Sequence, residues 1–305
     1  MTSKSTLQAW IKAFRLRTLP LAIASISMGG FLAAAYNNFS LSIFLLCVLT
    51  TVLLQVLSNL ANDYGDYVNG ADLTGRIGPE RAVQSGIISP QTMRRAIVIT
   101  STLAFAAGIG LLYISRTLES LSTFGFFLLL GLLSILASIR YTAGKNPYGY
   151  SGLGDIAVLI FFGWIGVGGS FFLQTQVYSW HLLLPATSCG LFATGVLNIN
   201  NIRDIDSDTL AGKRTIPMRI GRNNAVLYHI FLLGTGILLA LLYTFLTFKS
   251  YWQFLFVLSF PFFIVNIVKV KTLDSQNLDP YLKQMAISTL IFVFSFGIGL
   301  LLARS

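Results

Sequence analysis

The chain has 305 residues, 54% of them hydrophobic and only 10% charged, with a mean hydropathy of +0.73. Soluble domains carry about 25% charged residues, so folding as a water-soluble domain is excluded and a polytopic membrane protein is expected. The net charge of +10, from 21 Lys and Arg against 11 Asp and Glu, is distributed in a way that fits membrane orientation better than nucleic-acid binding.

Four cations, Lys4, Lys12, Arg15 and Arg17, precede the first apolar run, and no convincing small-residue cleavage site follows. This is the pattern of a retained first span. Apolar stretches long enough to cross about 30 Å of hydrocarbon as helices recur at 19–36, 41–61, 96–114, 121–139, 156–174, 181–199, 225–246, 251–268 and 285–303. Counting Lys and Arg in alternate loops puts 18 on the side of the N-terminus and 3, Arg116, Lys249 and Arg304, on the other. That asymmetry requires an odd number of spans. The expected fold is all-α: one domain over residues 1–305, nine transmembrane helices around a central cavity open to the cytoplasmic face, N-terminus in and C-terminus out. Cys47 and Cys189 lie inside apolar runs with no ligand cluster nearby and read as small buried hydrophobes. Gly29-Gly30 and the Gly163–Gly169 stretch read as close helix packing.

Ten of the eleven carboxylates fall on the N-terminal side, with Glu119 the exception. A positive-inside signal needs no carboxylates, so their concentration points to site chemistry. No charged residue occurs from Thr18 to Asn62; then Asp63, Asp66 and Asp72 arrive, followed by Arg76, Glu80 and Arg81. Asp63 and Asp66 are one turn apart on a helix. The sixth span runs out in the same way, through Asn198, Asn200 and Asn201 into Arg203, Asp204, Asp206 and Asp208. Asp204 and Asp208 share a helical face, while Asp206 points elsewhere. Clustered carboxylates repel unless something positive lies between them, and oxygen ligands suit a hard divalent cation. The plainer alternative is a solvated helix end with a polar loop. Two opposed pairs would hold Mg²⁺ against a substrate diphosphate, making Asp63, Asp66, Asp204 and Asp208 the expected metal ligands and catalytic residues. Asn62 and Asp72 are auxiliary oxygen ligands.

Asn62-Asp63-x-x-Asp66 paired with Asp204-x-x-x-Asp208, on nine spans, resembles the UbiA-type intramembrane aromatic prenyltransferases. Asn62-Asp63-Tyr64-Gly65-Asp66 leading to Gly70-x-Asp72, Arg76-x-Gly78-Pro79, Asn200-Asn201-x-Arg203-Asp204, and Tyr141-Thr142-Ala143-Gly144 leading to Pro147 through Asp155 are similar to the branch acting on 1,4-dihydroxy-2-naphthoate in menaquinone synthesis. The resemblance runs from Arg15 into the last span; Ala143 and Asp206 depart from the usual pattern. It implies an enzyme that moves a polyprenyl group from an allylic diphosphate onto the naphthoate, releasing CO2 and diphosphate, in a bacterial cytoplasmic membrane with the site facing the cytoplasm. It further implies that Arg76, Arg81, Lys145 and Lys213 contact diphosphate, that Asp155 belongs to the site, and that Asn201 contacts substrate. Tyr141, Tyr148 and Tyr150 would border a carbocation or position the acceptor, and Lys145 or Arg140 would orient its carboxylate. The basic residues are equally explained by membrane orientation, and the tyrosines by an interfacial belt. The competing activities are prenylation of another aromatic acceptor, such as 4-hydroxybenzoate or homogentisate, and ion-coupled transport. Transport predicts ionisable residues in mid-span, which these spans essentially lack.

Overall fold

The computed structural model describes residues 3–70 and 81–304. Asp72, Arg76, Gly78, Pro79 and Glu80 lie outside the described residues. A short helix α1 (Ser3–Phe14) leads through a left-handed Arg15 into α2 (Leu19–Ala35). There follow α3 (Leu41–Val68), α4 (Pro90–Ile114), α5 (Leu121–Arg140) and α6 (Gly154–Thr175). The second half holds α7 (Leu183–Arg203), the short α8 (Ile205–Leu210), α9 (Ile216–Leu246), α10 (Tyr251–Thr272) and α11 (Asp279–Leu302). Among the described residues, nine helices are long and apolar enough to cross a membrane, as the hydropathy pattern predicts.

Prolines mark many of the starts. Pro20, Pro90, Pro217 and Pro280 occupy first or second positions, where a missing N–H costs nothing, and Pro261 stands where the 3-10 first part of α10 gives way to α-helix. Ser89 and Ser120 cap α4 and α5 by accepting from Thr92 and Thr123 N–H. The lipid-facing sides of α4 and α5 expose Ile99, Leu103, Leu121, Phe126 and Leu129, the inverse of a soluble helix.

Several boundaries differ from expectation, α4 starting at Pro90 rather than 96 and α11 at Asp279 rather than 285, and two more bear directly on the acidic helix ends. Helix α3 continues seven residues beyond 61 to Val68, although residues 62–68 hold no strong helix former, so Asp63 and Asp66 sit inside a helix by tertiary packing rather than propensity. Helix α9 starts at Ile216, well before 225, and crosses a break at Gly221 (φ 77°). Over Leu159–Gly169 α6 widens into a π-helix, which the apolar pattern did not signal.

The largest apolar core joins α2, α6, α7, α9, α10 and α11. One of its tight seams is between α6 and α7, where a Cβ on Gly190 would stand 2.7 Å from the Leu159 carbonyl and 3.1 Å from the Gly163 Cα. A second core joins α1, α3, α4 and residues 82–88, and a third holds Ile26, Ile43, Cys47, Leu111, Leu112 and Leu173. Cys47 and Cys189 are buried and free, as their apolar surroundings suggested. Between these cores lies a long cavity.

Candidate functional site

Both acidic helix ends arrive at one end of the bundle. On α3, Asp66 is buried, receives the phenol hydrogen bond of Tyr150 and pairs with Arg81. Asp63, one turn earlier, is also buried but faces the returning chain: its oxygens accept from the N–H groups of Ala82 at 3.1 Å and Val83 at 3.5 Å. Arg81 donates to the Asn62 carbonyl as well as pairing with Asp66, so the segment after residue 80 is pinned to α3 from both sides.

On the other side α7 ends at Arg203, and the helical hydrogen bond from Asp208 N–H to the Asp204 carbonyl, 2.8 Å, carries the turn into α8. Asp204 and Asp208 are buried and Asp206 is exposed, as the four-residue spacing predicts. Arg203 folds back onto its neighbour and grips Asp204 with two bonds of 2.8 and 2.7 Å. Asp208 accepts Lys213 Nζ at 2.9 Å, and the same ammonium is 3.8 Å from Asp66. The two acidic stretches, 142 positions apart, therefore meet across one lysine. Burial pushes the Asp208 carboxyl above its usual range, against the pull of Lys213.

The loop from Tyr141 to Ser151 joins the halves. Tyr150 bonds Asp66 through its side chain, its carbonyl accepts Arg214 N–H at 2.8 Å, and Lys213 lies 5.0 Å over its ring. Thr142 donates to Asn62 Oδ1 at 2.9 Å, and Asn69 donates to the Thr142 carbonyl at 2.8 Å. Tyr148 stacks edge-on against Tyr141 and donates to the Ala137 carbonyl at 3.0 Å. Burial raises the Tyr148 phenol to about 12 and the Tyr141 phenol further still, so both stay protonated.

A cavity of about 420 Å³ opens beneath this roof. At its polar end lie Asp66, Asp204, Asp208, Arg81 and Lys213; its apolar length descends between α3, α4, α5 and the widened part of α6 to Cys47, Phe127 and Leu173. Among the expected site residues, Asn62, Asn201, Tyr141, Tyr148 and Tyr150 are also on this wall. Asp63 is not, because its carboxylate is turned onto Ala82 and Val83. Asp155 is buried behind the wall and accepts from Tyr228 at 3.3 Å. Arg140 and Lys145 are exposed and do not reach the cavity. Lys145 instead lines a smaller surface pocket with Arg214 and Arg219, beyond Tyr150.

Three residues of this region were not singled out from the sequence. Arg17 lines the cavity from the turn before α2, and Asp279 at the start of α11 binds both Arg17 and Arg203. Nothing local in the sequence marks either. Thr215 is buried on the cavity wall with no hydrogen-bond partner for its hydroxyl. Its position two residues after Lys213 was the available signal.

The sequence pattern of the UbiA prenyltransferase family matches residues 22–296. The chain belongs to this family. Among UbiA relatives, the 1,4-dihydroxy-2-naphthoate octaprenyltransferase of Escherichia coli K12 is 44% identical over 98% of this chain and 97% of its own length. The enzyme of the same name from Haemophilus influenzae is 43% identical over 97% and 96%. A solved UbiA homolog from Archaeoglobus fulgidus, bound to DMAPP and Mg²⁺, superposes with a TM-score of 0.62 at 15% identity, covering 93% of this chain and 99% of its own. That likeness establishes the shared fold.

The residues of this UbiA-family site suit a divalent ion. Among the described residues no three His, Cys, Asp or Glu side chains converge into a closed cage. Mg²⁺ does not need one, since it is commonly held by one or two carboxylates, water and substrate phosphate. An ammonium shared by Asp66 and Asp208 marks a place where two carboxylates already accept one cation between them.

Proposed function

We propose that this protein transfers a polyprenyl group from an allylic polyprenyl diphosphate to 1,4-dihydroxy-2-naphthoate, giving demethylmenaquinol, CO2 and diphosphate. The observation that carries this reading is the polar end of the cavity. Carboxylates from two distant helix ends and two cations, Arg81 and Lys213, surround the head of a long apolar channel. A diphosphate with an isoprenoid tail has that shape and polarity. The near-full-length similarity to the two naphthoate octaprenyltransferases supports the acceptor.

Asp66, Asp204 and Asp208 would hold Mg²⁺, which supplies charge neutralisation to the departing diphosphate. Lys213 and Arg81 supply further positive charge at the same place. The allylic carbon–oxygen bond breaks with its electron pair leaving on the diphosphate. An electron-rich ring carbon bonds the allylic carbon, and the carboxyl's bonding pair returns to the ring as CO2 departs. Tyr141 and Tyr148, both protonated, present aromatic faces to the cationic carbon. The channel walls exclude water, which would otherwise capture that cation. Asp63 holds the chain after residue 80 so that Arg81 reaches Asp66.

The excess of Lys and Arg on the loops of the acidic end supports a cytoplasmic site, with the N-terminus in and the C-terminus out. A bacterial cytoplasmic membrane is the matching location. The test is mass spectrometry of products from purified protein offered an all-trans polyprenyl diphosphate with dihydroxynaphthoate, 4-hydroxybenzoate and homogentisate together. Prenylated, decarboxylated naphthoquinol should dominate. Predominant prenylation of either other acceptor refutes the acceptor assignment, and an unmodified acceptor pool refutes the activity.

A further inference from the structure

Among the described residues, Arg203 is the largest side chain to be fully buried, at 0% side-chain exposure. A buried guanidinium is costly unless paired and hydrogen-bonded throughout. Its Nε and one Nη go to Asp204, that Nη also reaches Asn200 Oδ1 at 3.0 Å, and the other Nη binds Asp279. Asp279 is the first residue of α11, 76 positions away, and its outer side is held by Arg17 at 2.8 and 3.0 Å. A chain of alternating charge thus runs from the half-exposed Arg17 through Asp279 and Arg203 to Asp204 on the cavity wall.

We infer that Asp279 is a positioning residue for Asp204: by sharing Arg203 it leaves Asp204 with negative charge to offer a divalent ion. Were Arg203 paired with Asp204 alone, the two would be neutral together, and a cation would gain little by approaching. With Asp279 on the other arm, the three groups carry a net charge of about −1 in a buried setting, where charge is poorly screened. The fork geometry also fixes the carboxylate of Asp204 in one orientation. Asp279 suits this role because it stands in the first turn of α11, where the helix's own field favours a negative charge. Arg17, at the cavity's edge in the turn before α2, opposes the effect weakly, because its pair with Asp279 is partly in solvent: the side chains are 30% and 38% exposed.

The inference rests on the metal reading above, and its test separates the two. Mn²⁺, which takes similar oxygen ligands to Mg²⁺, is titrated into substrate-free protein and followed by electron paramagnetic resonance. Thermal unfolding of the metal-free protein is recorded alongside. Asp279→Asn should weaken Mn²⁺ binding about tenfold or more, the usual loss when a group supporting a ligand is removed. Asp279→Glu should restore binding at least partly. Arg17→Gln should act in the opposite direction and tighten binding by about threefold, because it frees Asp279 to neutralise Arg203. A merely structural ion pair would lower the melting temperature in both variants and leave both affinities unchanged, which overturns the inference. If Asp279→Asn does not fold, Arg17→Gln decides: tighter binding supports the inference, unchanged or weaker binding overturns it. Wild-type protein that binds no Mn²⁺ refutes the metal reading itself.

Discussion

Gly65 touches Thr142 backbone to backbone, so closely that a Cβ at position 65 would stand 2.6 Å from both the carbonyl carbon and oxygen of Thr142. This contact is the joint between the first acidic turn and the tyrosine loop. Asn62 and Asn69, one turn to either side of Gly65, bond Thr142 in the same place.

Gly65→Ala should therefore damage the site. In an open helix this change stabilises by about 1 kcal/mol. Here neither side of the clash is a flexible side chain, so α3 must move away from the loop, carrying Asp66 off Tyr150. The expected result is a loss of turnover of about tenfold or more, from misplacement of the reacting groups, with a lower melting temperature. Gly234→Ala is the control, since a Cβ there meets nothing within 4 Å. Thermal unfolding in detergent and product assay of both variants check the pair; equal behaviour would remove the steric account.

Asp63 and Asp208 should separate into anchor and ligand. Asp63→Ala leaves the buried N–H groups of Ala82 and Val83 without acceptors, a cost of about 2 kcal/mol. It should lower stability and turnover together. Asp208→Asn should abolish turnover with a smaller loss of stability, because Lys213 is partly exposed and can be resolvated. If Asp63→Ala unfolds like wild type, the anchoring role is wrong.

Much of this was readable from the one-dimensional pattern. An uncharged run ending in carboxylates identifies a helix that leaves the membrane, and that logic located both acidic clusters; the length of the apolar runs located the nine spans found among the described residues. The four-residue spacing put Asp204 and Asp208 on one side with Asp206 outside. The three-residue spacing of Asp63 and Asp66 misleads because it leaves an angular offset of about 60°. That was enough to send one carboxylate to the cavity and the other to Ala82. Arg203, Asp279 and Arg17 lie in three distant segments and meet only through the packing of α2, α7 and α11. Arg203 stood out as part of the second motif, but the charges of Asp279 and Arg17 read as ordinary loop charges. The π-helix of α6 was equally hidden, since an apolar run has the same appearance in either winding.

Divalent ions should stabilise the protein in a pH-dependent way. The folded carboxyl of Asp208 titrates above its unfolded value because burial disfavours its charge. Its contribution to metal-free stability is thus full at low pH and lost as pH rises through the raised pKa. A bound divalent ion reverses this, since it requires and compensates the ionised form. The melting-temperature gain on adding Mg²⁺ should be smallest in the acidic range and grow as pH rises through that raised pKa. The measurement is thermal unfolding with Mg²⁺ and with chelator across that range. A gain independent of pH would exclude Asp208 as a ligand.

Lys213 and Lys145 should fail in different ways, although both are loop lysines flanking Tyr150. Lys213 reaches Asp208 at 2.9 Å and Asp66 at 3.8 Å on the cavity wall. Its removal deprives the departing diphosphate of a cation and leaves the two carboxylates facing each other. Lys213→Ala should lower kcat about tenfold or more, with a higher Mg²⁺ requirement. Lys145 lies beyond Tyr150 in the pocket with Arg214 and Arg219, where it cannot orient a carboxylate inside the cavity. Three cations around one pocket do suit a polyanion passing the cavity mouth. Lys145→Ala should accordingly leave the KM for dihydroxynaphthoate unchanged and raise that for the prenyl diphosphate several-fold. The increase should shrink in high salt, because an exposed charge acts through a screened field. Initial rates with each substrate varied in turn, at low and high ionic strength, distinguish the two lysines. A rise in the acceptor's KM on removing Lys145 would return it to the acceptor site and require the 141–151 loop to close inward when substrate binds.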